Sequence, residues 1–286
     1  MMRATPALVV AAALALGACG SSNDNTSSTS GSTAAAANSC DKANLSLVKS
    51  GQLTVATDKP AYPPYFEDNK PSNGKGFESA VAYAIAAKLG FARSEVKWVV
   101  EPFNSSYAPG PKKFDFDVNQ ISINAARSKR VDFSTPYFTA PQAVVAPKGS
   151  SAVGITSLSD LAGKKIGVQI GTTSLDAVNS VVHPSQQPQV FNDSNDVVQA
   201  LKQSRVDAVV VDLPTAFYIT AAQVPGSKIV GQFDAPGGDN WGALLAKGSK
   251  LTPCVSKAIS SLKSSGELDR LQQKWMGAAA GAPKLS

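Results

Sequence analysis

The sequence predicts an α/β protein built from doubly wound sheets, which carry helices on both faces. Segments with strand-like and helix-like apolar patterns alternate through most of the chain, and the pattern begins again after Pro147. The length of 286 residues fits two lobes or one large α/β domain. Hydrophobic residues are 43% and charged residues 17%, which is typical of a packed globular protein.

The first half of the body contains the signals of three strands, one helix and a loop. Strands are predicted at 53–57, 96–100 and 114–118. A helix is predicted at 77–89, where apolar residues recur every fourth position and Gly90 is a good C-terminal stop. Residues 104–111 hold two prolines and a glycine, and they are predicted to form a loop.

The third strand is predicted to end in a change of phase. Apolar and polar residues alternate from Phe114 to Val118, and the apolar phase then slips by one, so that Ile121 is the next apolar position. A slip of one residue turns side chains to the opposite face of a sheet. We therefore expect the side chains of Gln120 and Ser122 to point toward a crevice.

The second half of the body is predicted to repeat this alternation. Strands are predicted at 166–169, 190–191, 208–211, 228–230 and 242–246. Helices are predicted at 173–182, 194–203, 213–222, 251–262 and 268–275. In open α/β sheets ligands bind beyond the carboxyl ends of strands. Four residues occupy such positions, namely Asp58, Gln120, Gly171 and Asp212.

Several side chains in this part of the chain could bind a small charged molecule. Arg127 can hold a carboxylate through two parallel hydrogen bonds, although a lone arginine more often forms a surface ion pair. Asp58 and Asp212 could receive an ammonium group, or they could cap helices. The turn at Gly171 opens a predicted helix and could bind an anion, as many such turns could. The sequence contains no glycine-rich nucleotide-binding motif.

Charge and histidine content argue against two kinds of function. The formal net charge is +6, but the positive residues are scattered and no arginine–aromatic stripe accompanies them, so no nucleic-acid partner is expected. His183 is the only histidine of the sequence. A histidine-based metal site and any mechanism that needs two imidazoles are therefore not expected.

The first forty residues carry the signals of export. A charged start is followed by ten apolar residues at 7–16, too short to span a bilayer, and then by small residues before a cysteine. This pattern predicts a signal peptide at 1–18. Leu16-Gly17-Ala18-Cys19 resembles a bacterial lipobox, which implies lipidation of Cys19; the alternative is ordinary signal cleavage that leaves a free cysteine.

The residues after this cysteine are predicted to form a flexible tether. Residues 19–39 are mostly Ser, Thr, Ala, Asn and Gly and cannot bury a core, so they are predicted to be a disordered, lipidated tether. The globular part is predicted to start near Cys40. Elsewhere in the sequence no segment approaches eighteen apolar residues, so the lipid is expected to be the only membrane attachment.

Two cysteines remain after lipidation, Cys40 and Cys254. Outside the cytoplasm an even pair of cysteines is more often bridged than free, and two cysteines allow one pairing. A disulfide between Cys40 and Cys254 is therefore predicted. The alternative is a pair of unrelated buried thiols.

Short motifs follow one another in an order that is typical of a known family. The most specific are the Arg-x5-Phe-Ser element at Arg127 and the Gly-Thr-Thr-Ser turn at Gly171. Others are Ala56-Thr57-Asp58, Tyr62-Pro63-Pro64-Tyr65, Gly76-Phe77-Glu78, Arg205-Val206-Asp207-Ala208 and Lys274-Trp275. From about residue 53 to residue 275 the sequence resembles the extracytoplasmic solute-binding proteins of family 3, the polar amino acid receptors of ABC importers.

The resemblance implies a two-lobe, type II periplasmic-binding-protein-like fold. Each lobe is expected to contain one doubly wound sheet, and two crossing hinge strands, near 137–144 and 232–240, are expected to join the lobes. Lobe 1 is then predicted at 40–138 and 239–286, and lobe 2 at 139–238.

The resemblance also implies roles for individual residues at the main-chain end of a bound amino acid. Arg127 matches the arginine that clamps the α-carboxylate of the ligand. Thr172 and Thr173 match the turn that helps to hold this carboxylate from the second lobe. Asp212 matches the aspartate that pairs with the α-ammonium, and Ser122 matches a hydroxyl residue that meets the amino or carboxylate end.

Further residues are implied around the ligand. Gln120 lies where a backbone carbonyl usually receives the ammonium, and Asp58 matches an acidic residue at the side-chain end of the pocket. Tyr62 and Phe103 lie near the aromatic walls of such pockets. Residues 124–126 depart from the family pattern, because Asn-Ala-Ala stands where Thr-Pro-Glu is usual.

The implied function is that of an extracytoplasmic substrate-binding lipoprotein of an ABC importer, which captures a polar L-amino acid by lobe closure. A ligand with an amide or cationic side chain is favoured because Asp58 lies at the far end of the pocket. The implied partners are the amino acid, the membrane permease, and the membrane through the lipid anchor. A monomer is expected at the extracytoplasmic face of the bacterial cell membrane. No catalytic residue, cofactor or metal is expected.

Two other functions stay open for a chain with this resemblance. One is a dehydratase-like enzyme on the same fold, which would need a positioned acid or base. The other is a ligand sensor that acts on a membrane signalling protein.

Overall fold

The computed structural model describes residues 40–277 and 282–286, and these contain two five-stranded sheets. The strands are β1 (Leu53–Thr57), β2 (Val96–Val100), β3 (Phe116–Asp117), β4 (Val131–Thr139), β5 (Gln142–Ala146), β6 (Ile166–Gln169), β7 (Gln189–Phe191), β8 (Ala208–Asp212), β9 (Lys228–Phe233) and β10 (Asn240–Ala246). The helices are α1 (Phe77–Lys88), α2 (Phe103–Ser106), α3 (Ala125–Ser128), α4 (Leu158–Ala162), α5 (Thr173–Ala177), α6 (Ser194–Lys202), α7 (Leu213–Tyr218), α8 (Thr252–Ser264) and α9 (Glu267–Met276). The predicted signal peptide, the lipidation of Cys19 and the tether all fall within residues 1–39, which lie outside the described residues.

The first sheet has the strand order β2-β1-β3-β10-β4. Strands β2 and β3 run parallel to β1, and β10 runs antiparallel to its neighbours β3 and β4. Helix α1 begins after Gly76, whose φ of 97° suits glycine, and its apolar stripe of Phe77, Val81 and Ile85 is buried. Helices α8 and α9 complete this apolar core, and a second apolar cluster covers the opposite face of the sheet.

The second sheet has the strand order β7-β6-β8-β5-β9. Strands β7 and β8 run parallel to β6, and β5 runs antiparallel to β8 and β9. One face packs mainly against α4, α5 and the turn after it, and the other mainly against α6 and α7. Both sheets are therefore covered on both faces, which confirms the predicted α/β class of doubly wound sheets.

The chain crosses between the sheets at 140–141, between β4 and β5, and at 234–239, between β9 and β10. The Ala140 N–H donates a hydrogen bond of 2.9 Å to the Asp239 carbonyl, which ties the two crossings together. The parts around the first and second sheets are called the first and second lobe below. The predicted boundaries at 138/139 and 238/239 stay predictions, and they fall beside these crossings.

The C-terminal residues 282–286 lie against the second lobe, whereas the sequence predicts them in the first. The Gln232 N–H donates to the Pro283 carbonyl at 2.8 Å, and the Leu285 N–H donates to the Gln232 carbonyl at 2.9 Å, so the tail extends the edge of β9. Leu285 is buried against Gly231, where any Cβ atom would collide with its side chain. Burial of the Leu285 side chain and pairing of the tail with the edge strand β9 explain this placement.

The predicted disulfide between Cys40 and Cys254 is present. Their Cα atoms are 5.4 Å apart, at a sequence separation of 214 residues. Cys254 lies in the first turn of α8 and is buried in the core of the first lobe, so the bridge fastens the start of the described chain to this helix.

Some elements differ from the sequence-based predictions. The crossing strand predicted near 137–144 corresponds to the end of β4 and the start of β5, and residues 131–136 of β4 are not predicted as strand. Pro136 interrupts a strand pattern, and the structure accommodates it opposite Gly242, where the register of β4 and β10 shifts. The predicted loop at 104–111 overlaps the short helix α2. No helix within 40–277 or 282–286 is both long and apolar enough to cross a membrane.

Candidate ligand-binding cleft

A cavity of about 340 Å³ opens between the carboxyl ends of strands from both sheets. Its lining comes mainly from the segments that follow β1, β2, β3, β6 and β7, from the end of β8 and from the start of α7. The nine residues that the sequence predicts as ligand-binding all line this cavity: Asp58, Tyr62, Phe103, Gln120, Ser122, Arg127, Thr172, Thr173 and Asp212. The strand-end rule and the resemblance therefore led to side chains that the fold brings together.

Arg127 lies in the one-turn helix α3 and reaches from the first lobe to the second. The Asn124 side chain accepts a hydrogen bond of 2.8 Å from the Arg127 N–H and caps this helix. The guanidinium donates from Nη1 to the Ser122 carbonyl at 2.6 Å and from Nη2 to the Gly171 carbonyl of the second lobe at 2.8 Å. Arg127 is 5% exposed, and this burial lowers its pKa.

Two aromatic rings lie beside the guanidinium. Its central carbon is 4.8 Å from the Tyr107 ring centre and 5.4 Å from the Phe103 ring centre, so both rings are within reach of a cation–π contact. Gly171 faces the same loop and has a φ of 72°; a side chain there would collide with the Tyr107 hydroxyl. The close approach of this loop to the second lobe thus requires glycine at position 171.

The two threonines after this glycine have different partners. Thr172 caps α5, since its hydroxyl accepts a hydrogen bond of 3.2 Å from the Leu175 N–H. The Thr173 hydroxyl donates to an Asp239 carboxylate oxygen at 2.8 Å and lies 3.2 Å from the Ser122 hydroxyl of the first lobe. Thr173 therefore links the second lobe to both the first lobe and the second crossing.

Asp212 and Asp239 share one amide donor. The buried side chain of Gln142 donates to an Asp212 oxygen at 2.7 Å and also to an oxygen of Asp239. Burial, followed by the charge of Asp239, raises the pKa of Asp212 well above its ordinary value. Two carboxylates held together in this way favour the approach of a cation.

Further acidic groups line the cavity. The Asp58 carboxylate accepts the Lys59 N–H at 2.6 Å and the Phe103 N–H at 3.2 Å. Burial raises the pKa of Asp58, and the negative charge of Asp193 from the second lobe raises it further. In the described part of the chain, no cluster of three His, Cys, Asp or Glu side chains could hold a metal ion.

Tyr62 forms part of the cavity wall. Its ring centre is 6.5 Å from that of Tyr218 in the second lobe, with the planes tilted by 43°. Burial raises the Tyr62 pKa to about 12, and the charge of Asp193 raises it too, whereas a hydrogen bond with the Asn195 side chain acts in the opposite direction. The hydroxyl therefore stays protonated at neutral pH.

Gln120 is positioned by a buried glutamate. The Glu78 carboxyl accepts hydrogen bonds from the Gln120 N–H at 2.7 Å, from the Gln120 side chain and from the Tyr137 hydroxyl. Burial raises the Glu78 pKa to about 7. These contacts hold Gln120 at a φ of 50°, a left-handed conformation that is uncommon outside glycine.

Several residues of the cleft are not among the predicted ones. Asp193 and Asn195, in the turn before α6 and at its start, line the cavity. Gln142, the first residue of β5, links the lining residue Asp212 to Asp239 of the second crossing. Asp193 gives a local signal, because an aspartate before Ser194 is a typical helix cap. No sequence pattern pairs Asp239 with Asp212, because the two lie in different segments of the chain.

Comparison with known proteins identifies the family. Residues 53–278 match the profile of the bacterial extracellular solute-binding proteins, family 3. The chain belongs to this family. This family 3 protein is 30% identical over 244 residues to the L-cystine-binding protein TcyJ of Escherichia coli (strain K12), covering 83% of this chain and 88% of the relative. It is 31% identical over 216 residues to the arginine-binding extracellular protein ArtP of Bacillus subtilis (strain 168), covering 73% of this chain and 81% of that relative.

Solved structures agree with the two-lobe, type II fold. An ancestral arginine-binding protein bound to glutamine has a TM-score of 0.66 and 38% identity, covering 79% of this chain and 98% of that one. The ancestral amino acid-binding protein AncCDT-1, a precursor of cyclohexadienyl dehydratase, has a TM-score of 0.65 and 32% identity, covering 79% and 95%. The family 3 chain described here is thus similar to binding proteins for amino acids.

Proposed function

We propose that this family 3 protein is the extracytoplasmic receptor of an ABC importer and that its cleft binds a polar L-amino acid with a cationic side chain. The observation that carries the proposal is the presence, along one cavity of about 340 Å³, of the buried guanidinium of Arg127 and the carboxyl group of Asp212. An amino acid offers one anion and one cation a few ångströms apart. In a cleft that excludes water, each of them needs a direct partner.

The α-carboxylate is assigned to Arg127 and to the start of α5. An arginine has five N–H donors, so the hydrogen bonds to Ser122 and Gly171 leave donors for a ligand. The first amides of a helix have no acceptor within the helix, and those at Thr172 and Thr173 can add hydrogen bonds to the same carboxylate. Because these donors belong to different lobes, the bound carboxylate favours the closed form.

The α-ammonium is assigned to Asp212, with Asp239 beside it. Burial and the negative charge of Asp239 disfavour the ionised form of Asp212 and raise its pKa. A bound ammonium reverses the balance by favouring the ionised form. Gln120 adds its backbone carbonyl, and its orientation is maintained by Glu78.

A cationic ligand side chain is proposed from the charges of the lining. The lining contains three carboxylates, those of Asp58, Asp193 and Asp212, and two cations, Lys59 and Arg127. A zwitterion without side-chain charge leaves an excess of negative charge in the lining. Relatives named for binding arginine and histidine support the same choice.

Attachment to the membrane is proposed through a lipid on Cys19. The proposal is supported by the sequence Leu16-Gly17-Ala18-Cys19, which follows a short apolar run. Changing Cys19 to Ala should move the protein from the membrane fraction to the soluble fraction. An intact mass without a lipid on Cys19, or an unchanged membrane fraction, would exclude the anchor.

The receptor is proposed to act as a monomer that delivers its ligand to the permease.

A dehydratase-like activity is a second candidate, favoured by the similarity to AncCDT-1. That protein is itself described as an amino acid-binding protein. An acid or base would have to act within the cleft, and a carboxylate that pairs with an ammonium is a poor general acid or base. Incubation with prephenate and arogenate, followed by chromatography of the products, separates the two functions, because turnover would establish the enzyme.

A thermal-shift screen of the twenty amino acids and common amines tests the proposed receptor. At a hundredfold excess over Kd, binding stabilises the protein by about 2.7 kcal/mol, a melting shift of about 5–10 °C for a chain of this size. Arg127→Lys keeps the positive charge but cannot form the bidentate hydrogen bonds to a carboxylate, so it should remove most of the affinity for the amino acid. The matched control is Arg130→Lys, since Arg130 is exposed and does not line the cavity.

An amino acid amide completes this test, because it lacks the carboxylate that Arg127 is proposed to hold. The amide should bind poorly to the wild-type protein. Equal binding of the amide and the free acid, or an affinity that Arg127→Lys leaves unchanged, would mean that the carboxylate lies elsewhere.

A further inference from the structure

Two carboxylates from opposite lobes line the cleft. Asp58 follows β1 in the first lobe, and Asp193 precedes α6 in the second; both line the cavity. Each also acts on Tyr62, which lies on the wall between the lobes, and the charge of Asp193 acts on Asp58 itself. The cleft therefore brings an acidic group of each lobe close enough to the other for their charges to interact.

The contacts of these carboxylates do not neutralise them. Asp58 accepts two backbone N–H groups, and Asp193 accepts the Asp196 N–H at 3.0 Å as the cap of α6. Within 40–277 and 282–286, neither carboxylate forms an ion pair with a lysine or arginine. Lys59 also lines the cavity; Lys59 and Asp193 are exposed, whereas Asp58 is half-buried. The space between the two carboxylates thus suits a positive charge.

We propose that Asp193, together with Asp58, forms a two-sided subsite that selects ligands with a positive charge at the end of the side chain. This inference rests on the proposed function of the cleft and adds a residue that determines specificity. Closure brings the two carboxylates together, and their repulsion opposes it. A cation between the two carboxylates is attracted to both and offsets their mutual repulsion. A neutral side chain of the same shape leaves the repulsion unchanged. Closure then depends on the charge of the ligand as well as on its backbone groups.

L-Citrulline and L-arginine separate charge from shape. The two have nearly the same length and outline, but citrulline carries a neutral urea group in place of the guanidinium. A subsite that reads charge should distinguish them strongly, and removal of one carboxylate should reduce this discrimination. Glutamine, a shorter neutral amide, serves as a second probe.

Asp193→Asn is the variant of choice because asparagine caps helices about as well as aspartate, so α6 keeps its cap while the charge is removed. The matched control is Asp196→Asn. Asp196 is exposed in the first turn of α6, carries the same charge and does not line the cavity. Its replacement therefore reports the effect of net charge alone.

Isothermal titration of wild type and both variants with arginine, citrulline and glutamine gives the decisive comparison. Asp193→Asn should weaken arginine binding about two- to fivefold, as expected for one exposed ion pair, and should leave citrulline binding unchanged. Asp196→Asn should change both less than twofold. Raising the salt concentration should weaken the binding of arginine more than that of citrulline.

The subsite and the proposed function fail in different ways. If wild type binds citrulline or glutamine as tightly as arginine, or if Asp193→Asn weakens arginine and citrulline equally, the subsite is wrong and the amino acid receptor stands. The subsite is also wrong if Asp196→Asn has the same effect as Asp193→Asn. If the wild-type protein binds none of the twenty amino acids, both proposals are wrong.

Discussion

The buried carboxyl group of Glu78 should make the stability of this protein depend on pH. Glu78 is fully buried below the cleft and accepts hydrogen bonds from Gln120 and Tyr137. Burial raises its pKa from 4.5 to about 7, and the hydrogen bonds offset this rise only in part. The group therefore gains a proton on folding over much of the weakly acidic range.

The direction of the effect follows from proton linkage. Because the pKa of Glu78 is higher in the folded than in the unfolded state, the folded state is favoured at low pH. That advantage is complete below about pH 4.5 and is lost as the pH rises toward 7. A rise in pKa from 4.5 to about 7 corresponds to about 3 kcal/mol. Wild type should thus lose about 3 kcal/mol through this group between pH 4 and pH 8.

Glu78→Gln removes the titration and keeps the shape of the side chain. The amide oxygen of the new glutamine can accept the hydrogen bonds of the Gln120 N–H and the Tyr137 hydroxyl. Its amide nitrogen can donate to the Gln120 side-chain oxygen if the Gln120 amide flips. The unfolding free energy of the variant, relative to wild type, should therefore rise by about 3 kcal/mol from pH 4 to pH 8.

Urea unfolding, followed by tryptophan fluorescence at pH 4, 6 and 8, measures this difference. The comparison between variant and wild type at each pH cancels the titration of all other groups that the substitution does not touch. If the difference between Glu78→Gln and wild type stays constant from pH 4 to pH 8, Glu78 titrates alike in the folded and unfolded states. The account of its burial is then refuted.

Three further predictions concern the disulfide, the C-terminal tail and a second buried carboxyl group. Replacing Cys254 by Ser should cost about 2–4 kcal/mol, and two reactive thiols in the non-reduced wild type would contradict the bridge. Leu285→Ala should cost about 2 kcal/mol and speed hydrogen exchange in β9; unchanged exchange would argue against the docked tail. Asp117→Asn should stabilise the protein at pH 7 but have little effect near pH 4, because burial raises the Asp117 pKa and its oxygens lack hydrogen-bond partners within the described residues. Equal melting shifts at both pH values would exclude this.

The fold class and the position of the cleft follow from the sequence by itself. The period of the apolar residues is a local property, because the backbone geometry of a strand or helix alone determines which side chains share a face. The change of phase after Val118 predicted that Gln120 and Ser122 face a crevice, and both line the cavity. Residues at strand ends, together with the order of the motifs, led to the other lining residues in the same way.

Contacts between distant segments were decided only by the tertiary structure. Asp239 lies in the second crossing and Gln142 directly follows the first, and they meet Asp212 because the paths of these crossings bring the segments together at that point. The opposition of Asp193 and Asp58 has the same origin. No local pattern distinguishes an aspartate that only caps a helix from one that also faces another carboxylate across a cleft.

The packing of the C-terminal tail could not be predicted from a local pattern either. Leu285 is one large apolar residue in a short stretch of mostly alanine and glycine that follows α9 of the first lobe. Its burial in the second lobe depends on the absence of a side chain at Gly231 and on the free edge of β9, which lie more than fifty residues away in sequence. The apolar pattern along the chain thus predicts most of the elements and the residues at their ends. The three-dimensional arrangement of the two sheets decided which of these residues meet, because burial and charge act through space and not along the chain.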